Sequence, residues 1–152
     1  FTRNSQFNVI LQHKFMKLTT KGRYAVMAMA DIAKYGHKKP VSLSEISLRQ
    51  NISLAYLEQL FVMLKNNNLV KSSRGASGGY VLNKPASQIK LSYIFLAVNE
   101  EVRTLNCKKD SKKGCNNKSQ KCITHNLWDQ LDTHINHFFE RIKLEDLVNK
   151  GV

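Results

Sequence analysis

The chain has 152 residues and carries 24 lysines and arginines against 11 aspartates and glutamates, for a formal net charge of +13 at pH 7. An excess of this size predicts an anionic partner, and nucleic acid is the first candidate. No apolar run approaches the roughly 18 residues of a membrane-spanning helix, and no secretory signal is visible. We therefore expect a soluble, cytoplasmic protein with one domain and an accessory element, in a compartment that keeps thiols reduced.

The positive charge is concentrated in one part of the chain. Residues 16–90 carry 12 lysines and arginines against 3 acidic residues, whereas residues 124–152 carry 3 against 5. The first of these segments is therefore expected to meet the polyanion, and the second to have another role. Residues 1–15 show neither a clear period nor a cap. We interpret them as a poorly ordered extension, with a strand over residues 7–11 as the alternative.

A first helix is predicted from Thr20 to Tyr35, and Gly36 is expected to end it. Its apolar positions recur at helical spacing and are Tyr24, Met27, Ala28, Ile32 and Tyr35. Lys21 and Arg23 lie near its start, where the backbone amides of a helix can also bind phosphate. The start of this helix is therefore a candidate DNA contact.

Two shorter helices are predicted next, from Ser44 to Gln50 and from Leu54 to Asn66, with Ser53 as the N-cap of the second. The inward stripe of the second helix is expected to be Leu54, Leu57, Phe61 and Leu64. Two short helices joined by a tight turn are typical of a helix-turn-helix, whose second helix enters the major groove of DNA. An ordinary helical hairpin has the same pattern.

The following segment favours the helix-turn-helix. Short strands are predicted from Leu69 to Ser73 and from Tyr80 to Leu82, joined by a glycine-rich tip that begins with Arg74. A hairpin directly after a recognition helix is a wing, and a wing arginine can lie in a narrow minor groove. The glycines do not match a nucleotide-binding loop, because the G-x-G-x-x-G pattern is absent and no Gly-Lys-Ser/Thr follows.

All three cysteines lie in one lysine-rich loop, and a histidine follows the last of them. The candidate metal ligands are Cys107, Cys115, Cys122 and His125. Three thiolates and an imidazole suit zinc, copper(I) or an iron–sulfur cluster. Three unrelated thiols are the alternative, whereas an odd cysteine count fits a disulfide framework poorly. Because residues 106–121 contain no apolar side chain apart from the cysteines, we expect this loop to become ordered only when metal binds.

The remaining elements are predicted to be helical. A short helix from Tyr93 to Asn99 is expected to be capped by Ser92, and a long amphipathic helix to run from Thr124 to Ile142. One side of the long helix carries Leu127, Leu131, Ile135, Phe138, Phe139 and Ile142, with Trp128 beside them. Such a stripe predicts a homodimer interface, centred on Leu127, Leu131, Ile135 and Phe138. Packing against its own domain is the alternative, and residues 144–149 are expected to add a last helical turn.

Four separate motifs, in this order, resemble the IscR family of iron–sulfur cluster regulators. They are Met16-Lys-Leu-Thr-Thr-Lys-Gly-Arg-Tyr-Ala25, Ile52-Ser-Leu-Ala-Tyr-Leu-Glu-Gln-Leu-Phe61, Arg74-Gly-Ala-Ser-Gly-Gly-Tyr80 and Cys122-Ile-Thr-His-Asn-Leu-Trp128. The resemblance runs from Met16 to about Asn149. It implies a dimeric winged-helix transcription factor that holds a [2Fe–2S] cluster with three cysteines and a histidine, and that represses genes for cluster assembly.

The resemblance also implies roles for particular residues and a division of the chain. The implied cluster ligands are Cys107, Cys115, Cys122 and His125, the implied base-reading residues Ser53, Tyr56, Glu58 and Gln59, and the implied wing residue Arg74. The implied fold is mainly α (α+β), with a winged helix-turn-helix DNA-binding domain over residues 16–90. A connecting helix and the cluster loop occupy residues 91–123, and a dimerisation helix and tail occupy residues 124–152. Such a dimer would bind double-stranded DNA at an inverted repeat, with no membrane and no small-molecule substrate.

The chain departs from the family pattern in two places. Its ligand spacing is Cys-x7-Cys-x6-Cys-x2-His, whereas the family typically has shorter gaps, although a longer loop can still close at little entropic cost. Ala55 stands where the family tends to carry serine, which removes one possible hydrogen bond to DNA and predicts a different operator.

Two other regulatory functions are compatible with these residues. A zinc-stabilised nucleic-acid-binding module is one alternative, because a Cys3His set suits structural zinc. A nitric-oxide- or redox-sensing winged-helix repressor is the other, but those repressors lack the Cys-x-x-His-x-x-Leu-Trp run found here. No Cys-x-x-Cys occurs and no paired carboxylates lie beside a candidate base, so we do not expect an enzyme.

Overall fold

The computed structural model of the protein describes residues 18–104, 115 and 120–149. Its helices are α1 (Thr20–Tyr35), α2 (Leu43–Gln50), α3 (Leu54–Asn66), α4 (Leu91–Ala97), α5 (His125–Arg141) and α6 (Leu144–Asn149), with a 3-10 turn at Ala86–Gln88. Strands β1 (Val70–Ser73) and β2 (Gly79–Leu82) form an antiparallel hairpin. The predicted extension over residues 1–15 and the candidate ligand Cys107 lie outside the described residues.

The described residues divide into two compact units. Residues 18–101 and 136–149 belong to one, and residues 102–104, 115 and 120–135 belong to the other. The first unit contains the hydrophobic core. No described helix combines the length and the apolar character needed to cross a membrane.

Helix α1 has the predicted bounds, but its buried face differs from the predicted stripe. Its buried apolar residues are Ala25, Ala28, Met29, Ile32 and Ala33, whereas Met27 and Tyr35 are exposed. The helix contacts α2, α4 and α6, so more than one of its sides is covered. Alanines allow this close approach, and their small size hides them from a prediction based on large apolar side chains.

Helices α2 and α3 are both fixed at their starts by serine caps. Ser42 caps α2 in a capping box with Glu45, and Ser53 caps α3 by accepting a hydrogen bond from the Tyr56 amide at 3.2 Å. Asn51 ends α2 in the left-handed conformation, with a φ of 54°. The expectation that Leu54 faces inward is wrong, because Leu54 is exposed in the first turn of α3. The core instead receives Leu57, Leu60, Phe61 and Leu64.

The capping box gives α2 a pH dependence that can be measured. The backbone N–H of Ser42, together with the Lys39 ammonium and the Ser42 hydroxyl, lowers the pKa of Glu45 from its usual 4.5 to about 2. A carboxyl group whose pKa is lowered by folding stabilises the fold above its unfolded pKa and loses that contribution as pH falls. Glu45→Gln should therefore be less stable than the parent protein at pH 7, with the difference shrinking from about pH 4.5 towards pH 2. A thermal unfolding series that gives the same difference at every pH would contradict this.

A buried ion pair joins α1 to α2. The Asp31 carboxylate is buried and accepts hydrogen bonds from Arg49 Nη2 at 2.7 Å, Arg49 Nε at 3.0 Å and Gln50 Nε2 at 2.7 Å. The hydrogen bond to Asp31 raises the pKa of Arg49, whose guanidinium also lies 4.4 Å from the centre of the Tyr35 ring. Because a bidentate arginine fixes direction as well as distance, this contact sets the angle between the two helices.

The hairpin is attached to the segment that precedes α2. Val41 N donates to Tyr80 O at 3.0 Å, and Tyr80 N donates to Val41 O at 2.7 Å. The Tyr80 ring packs on Phe61 of α3 with 4.7 Å between ring centres. A Cβ atom at Gly79 would lie 2.4 Å from the Val41 carbonyl oxygen, so glycine is required for this close approach. The hairpin is therefore positioned directly against α3.

Helix α4 begins two residues earlier than predicted, and Ser92 does not cap it. Its N-cap is Lys90, and Ser92 Oγ is buried without a hydrogen-bond partner among the described residues. Leu91 N donates to Ile142 O at 3.0 Å, and Leu144 N donates to Ile89 O at 2.8 Å. The first backbone N–H of α4 thus finds its hydrogen-bond acceptor in a segment some fifty residues later in the sequence. A local capping pattern does not reveal such a partner.

Candidate DNA interface and metal site

None of the predicted base-reading residues is buried in the core. Ser53, Glu58 and Gln59 are exposed on α3, while Tyr56 is half-buried. The Tyr56 ring makes an edge contact with Tyr24 of α1, with 5.7 Å between ring centres. The contact joins the first turn of α3 to the first turns of α1. The start of α1, which carries Lys21 and Arg23, is therefore in contact with the start of α3.

The two basic side chains near the start of α1 are at least partly exposed, whereas the Thr19 and Gly22 amides there already have an acceptor. Arg23 is exposed, and the half-exposed Lys21 donates from Nζ to Asn99 O at 3.4 Å. The Glu100 carboxylate accepts hydrogen bonds from Thr19 N at 3.0 Å and from Gly22 N at 3.2 Å. A carboxylate from a distant part of the chain therefore already accepts from two of the amides at the helix start where phosphate binding was predicted.

Arg74 lies at the tip of the hairpin and is exposed. The next residue, Gly75, has a φ of 113°, a backbone conformation that glycine adopts readily and other residues rarely do. This turn reverses the chain directly after the arginine. The exposed arginine thus lies in the turn between the two strands, which is the position predicted for the wing residue.

Two of the four predicted metal ligands lie side by side. Cys115 Sγ is 3.1 Å from His125 Nδ1, and Cys115 N donates to Gln120 O at 3.1 Å. His125 N donates to Cys122 O at 3.0 Å, which sets Cys122 one turn before the first residue of α5. Among the described residues no group of three or more metal-binding side chains is assembled, and the fourth candidate, Cys107, lies outside them.

Thr124 connects Cys122 to the tryptophan of α5. Its Oγ1 lies 3.7 Å from Cys122 Sγ and accepts a hydrogen bond from Trp128 Nε1 at 3.2 Å. Hydrogen bonds to ligand sulfurs are among the features that set the potential of an iron–sulfur cluster. The sequence analysis did not single out Thr124, although its position between two candidate ligands was a usable signal.

Asp132 is a second functional candidate that the sequence analysis missed. It is the buried residue of α5 and accepts hydrogen bonds from Thr104 N and Thr104 Oγ1, both at 2.6 Å. Thr104 precedes Cys107 by three residues, so this contact fixes the chain to α5 just before the cysteine loop. The sequence analysis of this helix considered its apolar side chains, and nothing in the sequence connected Asp132 with Thr104.

The apolar stripe of α5 is only partly covered. Leu127 is 57% exposed and Phe138 is 42% exposed, while Leu131 and Ile135 are half-buried. Phe139 packs against Phe95, with 4.6 Å between ring centres, so part of the stripe does pack on the unit formed by residues 18–101 and 136–149. The predicted interface residues remain accessible in the single chain.

The chain matches the model of one protein family over residues 18–150. That family is Rrf2, described as an iron-dependent transcriptional regulator. The chain belongs to the Rrf2 family. It is therefore a DNA-binding transcriptional regulator and not an enzyme, as the sequence predicted.

Similar proteins carry regulator names. A Haemophilus influenzae protein, provisionally named as an HTH-type transcriptional regulator, is 50% identical over 135 residues, covering 89% of this chain and 88% of its own. The HTH-type transcriptional regulator IscR of Photorhabdus laumondii is 48% identical over 134 residues, covering 88% of this chain and 80% of its own. The resemblance to IscR proteins is thus confirmed.

Solved Rrf2-family structures have the same fold. CymR, described as the global cysteine regulator of B. subtilis, is 32% identical with a TM-score of 0.73, over 88% of this chain and 97% of its own. T. potens IscR is 35% identical with a TM-score of 0.71, over 90% of this chain and 89% of its own. These neighbours confirm the predicted winged helix-turn-helix fold.

Proposed function

We propose that this Rrf2-family regulator senses iron–sulfur cluster status through a [2Fe–2S] cluster held by Cys107, Cys115, Cys122 and His125. The observation that carries the proposal is the 3.1 Å approach of Cys115 Sγ to His125 Nδ1, between residues ten positions apart. A thiol and an imidazole at this distance are already close enough to share one metal centre after a small movement. Cys122 is attached through the backbone hydrogen bond to His125.

The donor set and the family together favour iron over zinc. A Cys3His set accepts either metal, so the ligands alone do not decide. The Rrf2 family is described as iron-dependent, which supports the cluster. When bound, the cluster would supply a redox-active, oxygen-labile group, while this chain would supply the thiolates, the imidazole and the Thr124 hydroxyl beside Cys122. Loss of the cluster would leave these ligands without the centre that joins them.

We further propose that the DNA face of each chain consists of the start of α1, the exposed side of α3 and the hairpin tip. Its residues are Lys21, Arg23, Ser53, Tyr56, Glu58, Gln59 and Arg74. A homodimer formed through α5 would present two such faces, so the site should be an inverted repeat. Residues 16–90 would then act as the DNA-binding domain and residues 124–152 as the dimerisation element, with the cluster loop between them.

The positive side chains of this face should determine how binding depends on salt. Each phosphate contact that is lost lowers the slope of log K against log salt concentration by about one. The combined variant Lys21→Ala, Arg23→Ala, Arg74→Ala should therefore lower the slope by about three. Lys143→Ala, which removes an exposed lysine outside the face, should leave it unchanged. An unchanged slope in the triple variant would contradict the assigned DNA face.

Glu58 should act on selectivity rather than on overall affinity. It is an exposed carboxylate on the recognition helix, and phosphate repels it unless a base donates a hydrogen bond, most naturally cytosine N4. Glu58→Ala should therefore relax the preference at one base pair, in a selection from randomised duplexes, by roughly 1–3 kcal/mol. Gln59→Ala, the matched change at the next position, should alter a different base pair. A uniform loss across all sequences would mean that Glu58 has a structural role.

A further inference from the structure

We infer that Glu100 is a positioning residue for DNA binding, which holds the first turn of α1 so that Lys21 and Arg23 can reach phosphate. The inference rests on the proposed DNA face. Glu100 lies outside that face, at the end of α4, and nothing in the local sequence connects it to α1. Its role comes from a contact between residues about eighty positions apart in the chain.

The Glu100 carboxylate replaces the missing cap of α1. Thr19 occupies the N-cap position, but its own side chain makes no capping hydrogen bond, and no acidic residue lies in the first turn. Glu100 is 8% exposed and accepts from Thr19 N, from Gly22 N and from the Thr19 hydroxyl. A helix start needs acceptors for its amides and favours negative charge. One side chain here supplies both.

Gly22 makes this approach possible. A Cβ atom at position 22 would lie 2.8 Å from Glu100 Cγ and 3.1 Å from the Phe95 ring. Real Cβ atoms essentially never come within 2.8 Å of another atom, so a larger residue would displace the Glu100 side chain from the helix start. The glycine therefore has a packing role in the capping contact.

Backbone hydrogen bonds fix the segment that carries the carboxylate. Glu100 N donates to Phe95 O at 2.8 Å and Asn99 N donates to Leu96 O at 3.1 Å, which closes the end of α4. Asn99 is in the left-handed conformation, with a φ of 54°, and its carbonyl accepts from Lys21 Nζ at 3.4 Å. Residues 99 and 100 thus hold both the backbone of the first turn and the side chain of one proposed phosphate contact.

Replacing Glu100 has two opposite effects on DNA affinity, and the test distinguishes between them. Removing a negative charge near DNA strengthens binding, whereas loosening the first turn weakens it, because the turn must be ordered again when DNA binds. Glu100→Gln in the full chain should weaken binding to a fluorescein-labelled mixed-sequence duplex of about 30 base pairs by roughly five- to tenfold. Glu101→Gln removes the same charge at the next, exposed position and should bind as tightly as the parent or more tightly. Unchanged or tighter binding by Glu100→Gln overturns the inference.

A double-mutant cycle separates positioning from general destabilisation. In the Lys21→Ala, Arg23→Ala background, Glu100→Gln should change affinity less than about twofold, because the side chains it positions are gone. An equal loss of affinity on Glu100→Gln in both backgrounds overturns the inference. The proposed DNA face still stands in that case if Lys21→Ala, Arg23→Ala lowers the salt slope by about two. If that slope is unchanged, the proposed DNA face fails and the inference fails with it.

A milder variant keeps the inference testable if Glu100→Gln does not fold. Thr19→Val removes only the hydroxyl donor to Glu100 and preserves the shape of the side chain. It should weaken binding by about two- to threefold, and only when Lys21 and Arg23 are present. If Thr19→Val weakens DNA binding by the same factor in the Lys21→Ala, Arg23→Ala background, the inference is overturned.

Discussion

Replacing Cys115 with serine or His125 with alanine is expected to abolish cluster binding, seen as loss of the visible absorption of the anaerobically purified protein. Removing an outer-shell partner of a metal ligand already costs about 10–100-fold in metal affinity, and removing a ligand itself should cost more. The two residues lie 3.1 Å apart, so each variant removes one half of the same contact. Both should therefore give the same colourless protein.

A histidine elsewhere on α5 provides the matched control. His134 is exposed on the same helix, and His134→Ala should retain the full absorption band. Helical content measured by circular dichroism should be similar in all three variants, because Cys115 lies before α5 and His125 is only its first residue. A Cys115→Ser protein that keeps the band and its iron would show that Cys115 is not a ligand.

The second large effect is expected at the α5 stripe. Combining Leu131→Asp with Phe138→Asp should convert the proposed homodimer into a monomer in sedimentation analysis. Each apolar anchor lost from such an interface costs about 2 kcal/mol or more, so two should raise the dimer dissociation constant by roughly a thousandfold. Phe138 is 42% exposed in the single chain, which leaves it free to contact a second copy.

Leu48→Asp serves as the control for the dimer experiment. Leu48 is an exposed leucine of α2, so its replacement introduces the same charge at an exposed apolar position away from α5. This variant should remain a dimer. A parent protein that sediments as a monomer at micromolar concentration, or a double variant that remains a dimer, would contradict the proposed interface.

The bounds of α1, α3 and α6 were predictable because their signals are local, whereas α4 begins two residues earlier than predicted. Ser53 caps α3 through the Tyr56 amide, and Gly36 follows the last residue of α1, so the bounds of both helices agree with the prediction. The bounds of α6 were also predicted correctly. Caps, glycines and periodicity act over three or four residues, which is the range that a sequence pattern can report.

The contacts that orient these elements were not predictable, because they join distant residues. Glu100 reaches Thr19, Arg49 reaches Asp31 and Asp132 reaches Thr104, each across 18 or more positions. The predicted inward stripe of α3 likewise included Leu54, which is 42% exposed, and omitted Leu60, which is buried. Which apolar side of a helix is buried depends on the elements that pack against it. The periodicity of a single helix carries no information about those elements.

The sequence indicated a candidate set of metal ligands but not the metal that they would hold. The spacing of Cys115, Cys122 and His125 indicated that they would converge, and Cys115 and His125 do lie in contact. Zinc and an iron–sulfur cluster use the same thiolate and imidazole donors, so the choice between them comes from the family and not from the geometry. The contacts of Asp132 became visible only from its hydrogen bonds, whereas the position of Thr124 between two candidate ligands was already a usable signal in the sequence.

Metal and sulfide analysis of the anaerobically purified, full-length protein tests the proposed cluster most directly. Iron, inorganic sulfide and zinc would be measured on the same sample and compared with the concentration of the chain. Cluster binding predicts iron and inorganic sulfide in equal amounts, with zinc well below both. Zinc in a one-to-one ratio to the chain, without inorganic sulfide, would contradict cluster sensing and indicate a structural zinc site.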